Sequence, residues 1–134
     1  ETQVVLPLLA SDLATVMAAC LDGALAETPV EWRDEAAVCV VMAAGGYPGG
    51  YRKGDAITGL EDAGSTGALI FHAGTARKGD QLVTSGGRIL GVTAIDADIL
   101  KAIKKAYAAV DKISFAGAHC RRDIAHRVAA RRPK

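Results

Sequence analysis

Residues 36–44 read Ala-Ala-Val-Cys-Val-Val-Met-Ala-Ala, nine apolar residues in a row that run straight into Gly45-Gly46-Tyr47-Pro48. So short a run cannot span a bilayer as a helix, but it suits a strand covered on both faces. The expectation is that this strand is the core of the fold and delivers a tight loop to one of its edges. Gly45 and Gly46 admit positive φ and let a ligand approach the main chain, while Pro48 fixes the next bend. A rigid strand that ends in such a loop is a good foundation for a binding site. Read alone, Gly-Gly-x-Pro also describes a plain turn.

With 134 residues, the chain suits one domain that buries roughly two thirds of its unfolded surface. Half of the residues are apolar but only six are aromatic, so the core must be built from Ala, Val, Leu and Ile. The net charge of +1 argues against strong, general attraction to nucleic acid. Residues 121–134 nevertheless carry a net +5, against −4 for residues 1–120. Such a basic end is either a solvated tail or an anion site. Cys20, Cys39 and Cys120 have neither the even count of a disulfide framework nor the close spacing of a zinc site. Cys20 and Cys39 read as small core residues, and a reducing cytoplasm is the expected setting. No signal peptide or membrane-spanning segment is visible.

Along the chain, Ser11 is the expected N-cap of an amphipathic helix whose apolar face, Leu13, Val16, Met17 and Cys20, packs on the body of the domain. Residues 27–34 then lead to the central strand. Thirteen of the fifteen glycines lie between Gly45 and Gly91, so short strands with tight turns follow. These strands are expected near residues 57–60, 68–73, 81–84 and 88–93. Arg77-Lys78-Gly79-Asp80 and Ser85-Gly86-Gly87 are the expected hairpin turns. Asp96 and Asp98 open a second helix, with Ile99, Leu100, Ile103, Ala106, Tyr107 and Val110 on one face and Lys101, Lys104 and Lys105 towards water. A short terminal helix is expected over residues 121–128. The fold class is therefore α+β, with a mainly antiparallel sheet of short strands and packing helices.

Arg121 and Arg122 are the leading candidates for chemistry, because two guanidiniums can hold a phosphate through several charge-assisted hydrogen bonds. On a helix, however, adjacent residues diverge by roughly 100°, which leaves one arginine to pair with Asp123 or meet solvent. His72, inside a strand, suits a histidine satisfied by a backbone carbonyl. His119 and His126 lie beside the arginines without the carboxylates or spacing of a metal site. No Gly-x-x-x-x-Gly-Lys-Ser/Thr loop is present, so no independent nucleotide site is expected. No catalytic residue is identifiable.

Several segments together resemble one family. They are Glu1-Thr2-Gln3-Val4-Val5-Leu6-Pro7-Leu8-Leu9, Gly45-Gly46-Tyr47-Pro48 with Tyr51 and Lys53-Gly54-Asp55, and Phe71-His72-Ala73-Gly74-Thr75. Leu82-Val83-Thr84-Ser85-Gly86-Gly87-Arg88, Gly91-Val92-Thr93 and Arg121-Arg122-Asp123-Ile124 continue the series. In order and spacing they resemble the C-terminal region of phosphoribosylamine–glycine ligase, the glycinamide ribonucleotide synthetase of purine biosynthesis. Two positions depart from the family, which usually has Tyr where Cys120 stands and Gly where Ala125 stands.

The resemblance implies an ATP-grasp ligase that activates glycine as an acyl phosphate and passes it to the amine of 5-phosphoribosylamine. It implies that residues 1–27 close the ATP-grasp domain and residues 28–134 form the C-terminal domain. The chain then reads as a piece of a longer polypeptide whose partners are its own upstream ATP-grasp lobes. ATP and magnesium or manganese belong to those lobes; none is expected on this piece, which alone should not catalyse. Gly45, Gly46, Tyr47 and Pro48 are expected near the substrates, with Arg121 and Arg122 on the ribose phosphate. The alternatives are a free-standing β-rich binding or carrier module, for which Lys53 and Lys78 lack the Met-Lys-Met setting, and the C-terminal domain of another ATP-grasp ligase. Neither nucleic acid nor membrane is an expected partner.

Overall fold

The apolar run forms strand β1, Ala36–Ala43, but it is not the middle of its sheet. In the computed structural model, which describes residues 1–130, the middle strand is β5, Arg88–Asp96. β1 pairs with one of its edges and β2, Leu69–His72, with the other, both antiparallel. Every residue of β5 from Ile89 to Ala94 is buried. β1 buries Val38, Val40 and Met42 on one face, whereas Val41 on the other is 41% exposed. Apolar content reports that a strand is buried; which strand is central depends on partners distant in sequence.

Helix α4, Ile99–Val110, lies across the buried face. Ala102, Ala106, Ala109 and Val110 join Val38, Val40, Val92 and Ala94 in one core cluster. The buried stripe is mainly alanine, which lets helix and sheet approach closely, and Leu100 is turned outward instead. Asp98 caps the helix by accepting the Lys101 N–H at 2.9 Å. That hydrogen bond holds its carboxyl below the usual carboxylate range.

Strands β3, Thr75–Lys78, and β4, Gln81–Thr84, form the expected hairpin around Gly79-Asp80. The second expected hairpin does not form. β4 and β5 lie in different sheets, and the Ser85 N–H turns away to the Gly74 carbonyl at 2.7 Å. Nor do residues 57–60 make a strand: isolated bridges join Ala56 to Val83 and Thr58 to Ser114, after which helix α3, Leu60–Gly64, begins.

At the start of the chain, helix α1, Thr2–Val5, lies on the second face of the sheet. There the Thr93 hydroxyl donates to the Gln3 carbonyl at 3.0 Å, and the Cys39 thiol donates to Gln3 Oε1 at 3.2 Å. Helix α2, Leu13–Leu21, is capped by Asp12 rather than Ser11. Asp12 accepts the Thr15 N–H at 2.8 Å, while the Ser11 hydroxyl accepts the Glu31 N–H. The apolar face of α2 does not pack on the body of the domain: Met17 is 59% and Leu21 89% exposed. One face of the sheet carries α4 and the other α1, so α2 has no sheet face to cover. No helix among the described residues is long and apolar enough to cross a membrane.

Residues 121–124 are not helical, and helix α5, His126–Ala130, starts later than expected. The turn before it places Ala125 at φ 62°, a left-handed conformation. An L-residue pays about 1–2 kcal/mol there. Ala125→Gly should therefore stabilise the fold by up to about 1 kcal/mol, the relief being offset by about 0.5–1 kcal/mol of added chain entropy. Urea unfolding checks this, and a clear loss of stability in the variant would contradict it. Arg131, Arg132 and Lys134, the rest of the basic end, lie outside the described residues.

Candidate functional site

Where β1 ends, the Ala44 N–H donates to the Gly87 carbonyl at 2.8 Å, and the chain turns into the Gly-Gly-Tyr-Pro loop. Gly45 crosses the backbone of Gly117, so that a Cβ there would lie 3.2 Å from the Gly117 Cα. Gly46, at φ 93°, is folded back against the carbonyl of Gly50. Both glycines thus serve close contact between backbone segments. Gly45 also borders a shallow cavity of about 210 Å³ with Arg52 and Asp55, which pair with each other. Tyr47 and Pro48, joined by a cis peptide bond, face elsewhere.

Tyr47 and Pro48 line a cavity of about 440 Å³ on the second face of β1. Cys39, Val41 and Ala43 form its floor, and Arg88, His119 and Arg121 stand around it. His119 is fixed by main-chain bonds in both directions with Ala43, at 2.8 and 3.1 Å, which extend the sheet edge beyond β1. The Tyr47 ring at its margin lies 6.3 Å from the Tyr51 ring, inclined at 57°. The cavity is therefore an apolar floor with cationic groups at its margin.

Arg121 and Arg122 do not converge. Arg121 donates from Nε and Nη2 to the two carboxylate oxygens of Asp123 at 2.9 and 2.7 Å. This pairing raises the Arg121 pKa above its ordinary value and lowers that of Asp123. Arg122 donates from Nη1 to Asp111 at 2.6 Å, which raises its pKa, and its guanidinium carbon stands 5.5 Å from the Tyr107 ring centroid. It borders a separate cavity of about 360 Å³ with Met42, Val110 and Cys120. The Tyr107 hydroxyl holds the segment from Arg121 to Ile124, donating to the Arg121 carbonyl and accepting the Ile124 N–H. Tyr107 thus has a positioning task that its place on an apolar helix face did not announce.

Arg121 still offers a ligand something. Of the five N–H donors of a guanidinium, the Asp123 bridge uses two, and three are left. His72, expected to meet a backbone carbonyl, instead lies 3.2 Å from the Thr75 hydroxyl at an exposed position. Among the described residues no group of three or more His, Cys, Asp or Glu side chains is placed to hold a metal ion. Asp55, Asp111 and Asp123, the carboxylates bordering or nearest these cavities, each pair with an arginine. These paired carboxylates do not fit the divalent cation that the resemblance implies for the whole ligase.

Fold and cleft together define an α+β domain with an open, arginine-edged apolar cavity along one sheet edge. Residues 37–127 match the family model described as phosphoribosylglycinamide synthetase, C domain. The chain belongs to that family. It is 52% identical to the phosphoribosylamine–glycine ligase of a Synechocystis species over 128 residues, 95% of this chain and 30% of that protein. The corresponding ligase of Mesorhizobium japonicum is 51% identical over 98% of this chain and 31% of its own length. Among solved structures, phosphoribosylamine–glycine ligase from Thermotoga maritima superposes with a TM-score of 0.71 at 38% identity, covering 90% of this chain and 29% of that one. The chain thus spans about 30% of the length of the curated relatives it matches.

Proposed function

We propose that this chain serves as the C-terminal part of a phosphoribosylamine–glycine ligase, acting in the cytoplasm in purine biosynthesis. The observation that supports this most is identity of about half along nearly its whole length to relatives bearing that name. That ligase joins glycine to 5-phosphoribosylamine, with ATP and a divalent cation supplied at the upstream ATP-grasp lobes. In this proposal residues 1–27 close the ATP-grasp domain and residues 28–134 are the C-terminal domain. The contribution of this chain is one wall of the substrate cleft. Tyr47 and Pro48 shape the margin of the apolar cavity, and Arg121, held open by its bridge to Asp123, supplies donors to the sugar phosphate. Arg122, on the opposite side of its segment, orients that segment through Asp111 and Tyr107.

The exposed apolar residues of α2, with Trp32 at 54% exposure, are where the upstream lobes would sit. A free-standing carrier module gains no support, because the family matched is that of the ligase C domain. The purified chain alone should form no ADP from ATP, glycine and 5-phosphoribosylamine. A chimera that joins it to the upstream portion of the Synechocystis ligase should turn over. ATP-dependent turnover by the chain alone, or a well-folded chimera without activity, would overturn the proposal.

A further inference from the structure

Helix α1 is only four residues long, yet it fixes one polar side chain on the second face of the sheet. The Gln3 carbonyl accepts the hydroxyl of the fully buried Thr93 at 3.0 Å, which ties its backbone to β5. The Gln3 carboxamide then lies over Gly91 of the same strand, where its atoms occupy the space that a Cβ would fill. Only a residue without a side chain leaves room for it there. From β1, the Cys39 thiol donates to Gln3 Oε1 at 3.2 Å. Contacts from two strands thus set the amide, rather than solvent.

This orientation decides what Gln3 can offer. A carboxamide has one accepting oxygen and two N–H donors, and here the oxygen is engaged by the thiol. Among the described residues no buried side-chain nitrogen or oxygen lacks a partner, so Nε2, which has none in the chain, reaches open space. Gln3 lines a cavity of about 210 Å³ with Val41, Ala73, Arg88, Leu90 and Gly91. Val41 and Arg88 also line the 440 Å³ cavity, so the smaller one adjoins the larger as a side lobe. Charged oxygens are matched best by the guanidiniums at the margin, which leaves a neutral N–H donor for a neutral oxygen. A sugar hydroxyl is such an oxygen.

We infer that Gln3 is a specificity-determining residue for the sugar substrate, its Nε2 donating to a ring hydroxyl and discriminating against sugars that lack it. This rests on the ligase reading for the identity of the sugar, though the discrimination itself is measured without turnover. A site built to hydrogen-bond a hydroxyl rejects the analogue without one. Loss of one neutral hydrogen bond should weaken binding roughly 3- to 10-fold.

The test uses the complete ligase polypeptide containing this chain. Calorimetric titration with ribose 5-phosphate and with its 2-deoxy and 3-deoxy analogues gives the discrimination ratio, and thermal unfolding confirms that each variant is folded. Gln3→Met removes the donors at similar length. Gly91→Ala keeps Gln3 but pushes its amide aside, and carries the test if Gln3→Met does not fold. Gln81→Ala, the loss of an exposed amide on β4, is the control. The unsubstituted and Gln81→Ala proteins should prefer ribose 5-phosphate to one of the deoxy analogues by roughly 3- to 10-fold. Gln3→Met and Gly91→Ala should bind the two about equally. An unsubstituted protein that does not discriminate overturns the inference. So does a folded Gln3→Met protein that keeps the ratio, whether it weakens all three sugars alike, as a purely structural role would, or weakens glycine alone. Loss of the ratio in Gln3→Met, in a polypeptide that shows no ligase activity even unsubstituted, upholds the sugar site and overturns the ligase reading instead.

Discussion

Leu90→Ala should lower the stability of the domain by about 3–5 kcal/mol, the upper part of the range for large-to-small changes in a core. Leu90 is fully buried on the middle strand, opposite Met42 of β1 and His72 of β2, and belongs to the cluster completed by α4. Backbone pairing on both sides prevents the strand from shifting to fill the space, so most of the cavity would persist. Native domains are stable by about 5–15 kcal/mol, so this one change removes a large share. With a urea slope of about 1–3 kcal/mol per molar, the midpoint should fall by at least about 1 M. Leu69→Ala is the matched control, since Leu69 on β2 is 42% exposed. It should cost under about 1 kcal/mol. Equal losses for the two variants would contradict the placement of β5 at the centre.

The second large effect is expected in the loop that follows β1. Gly46→Ala meets two obstacles: φ 93°, a conformation that L-residues rarely adopt, and the carbonyl of Gly50 in the space a Cβ would occupy. The first costs about 1–2 kcal/mol and the second adds about 1–3 kcal/mol unless the loop opens. We expect a loss of about 2–5 kcal/mol, with displacement of Tyr47 and Pro48 from the cavity margin. Gly50→Ala in the same loop has nothing within 4 Å of the added atom and should stay within about 0.5 kcal/mol of the original. Urea unfolding compares the two, and Tyr47 fluorescence, with Tyr51→Phe as background, follows the loop. A Gly46→Ala protein as stable as Gly50→Ala would show that the loop is not held in this form.

Ribose 5-phosphate titration of the Gly46→Ala protein links this loop to the cleft. If Tyr47 and Pro48 form part of the substrate wall, weaker binding should accompany the loss of stability. The glycines then act on the site indirectly, by folding the loop, rather than by touching a ligand.

Local chemistry decided much of this protein. The apolar run at 36–43 became a strand, Gly79-Asp80 became a hairpin turn, and Asp98 capped a helix that begins at Ile99. Each depends on residues within a few positions of one another, where periodicity and turn chemistry have direct force. The family was legible for a similar reason, since its motifs are short segments in a fixed order. Tertiary structure alone decided the rest. It made β5 rather than β1 the central strand, left α2 without a face to cover, and gave Arg121 and Arg122 different neighbours. It also placed Arg88 beside the cavity by a single skipped residue in the pairing of two strands far apart in the sequence. Strand order, bulges and ion-pair partners depend on contacts between distant segments, and no local pattern specifies them.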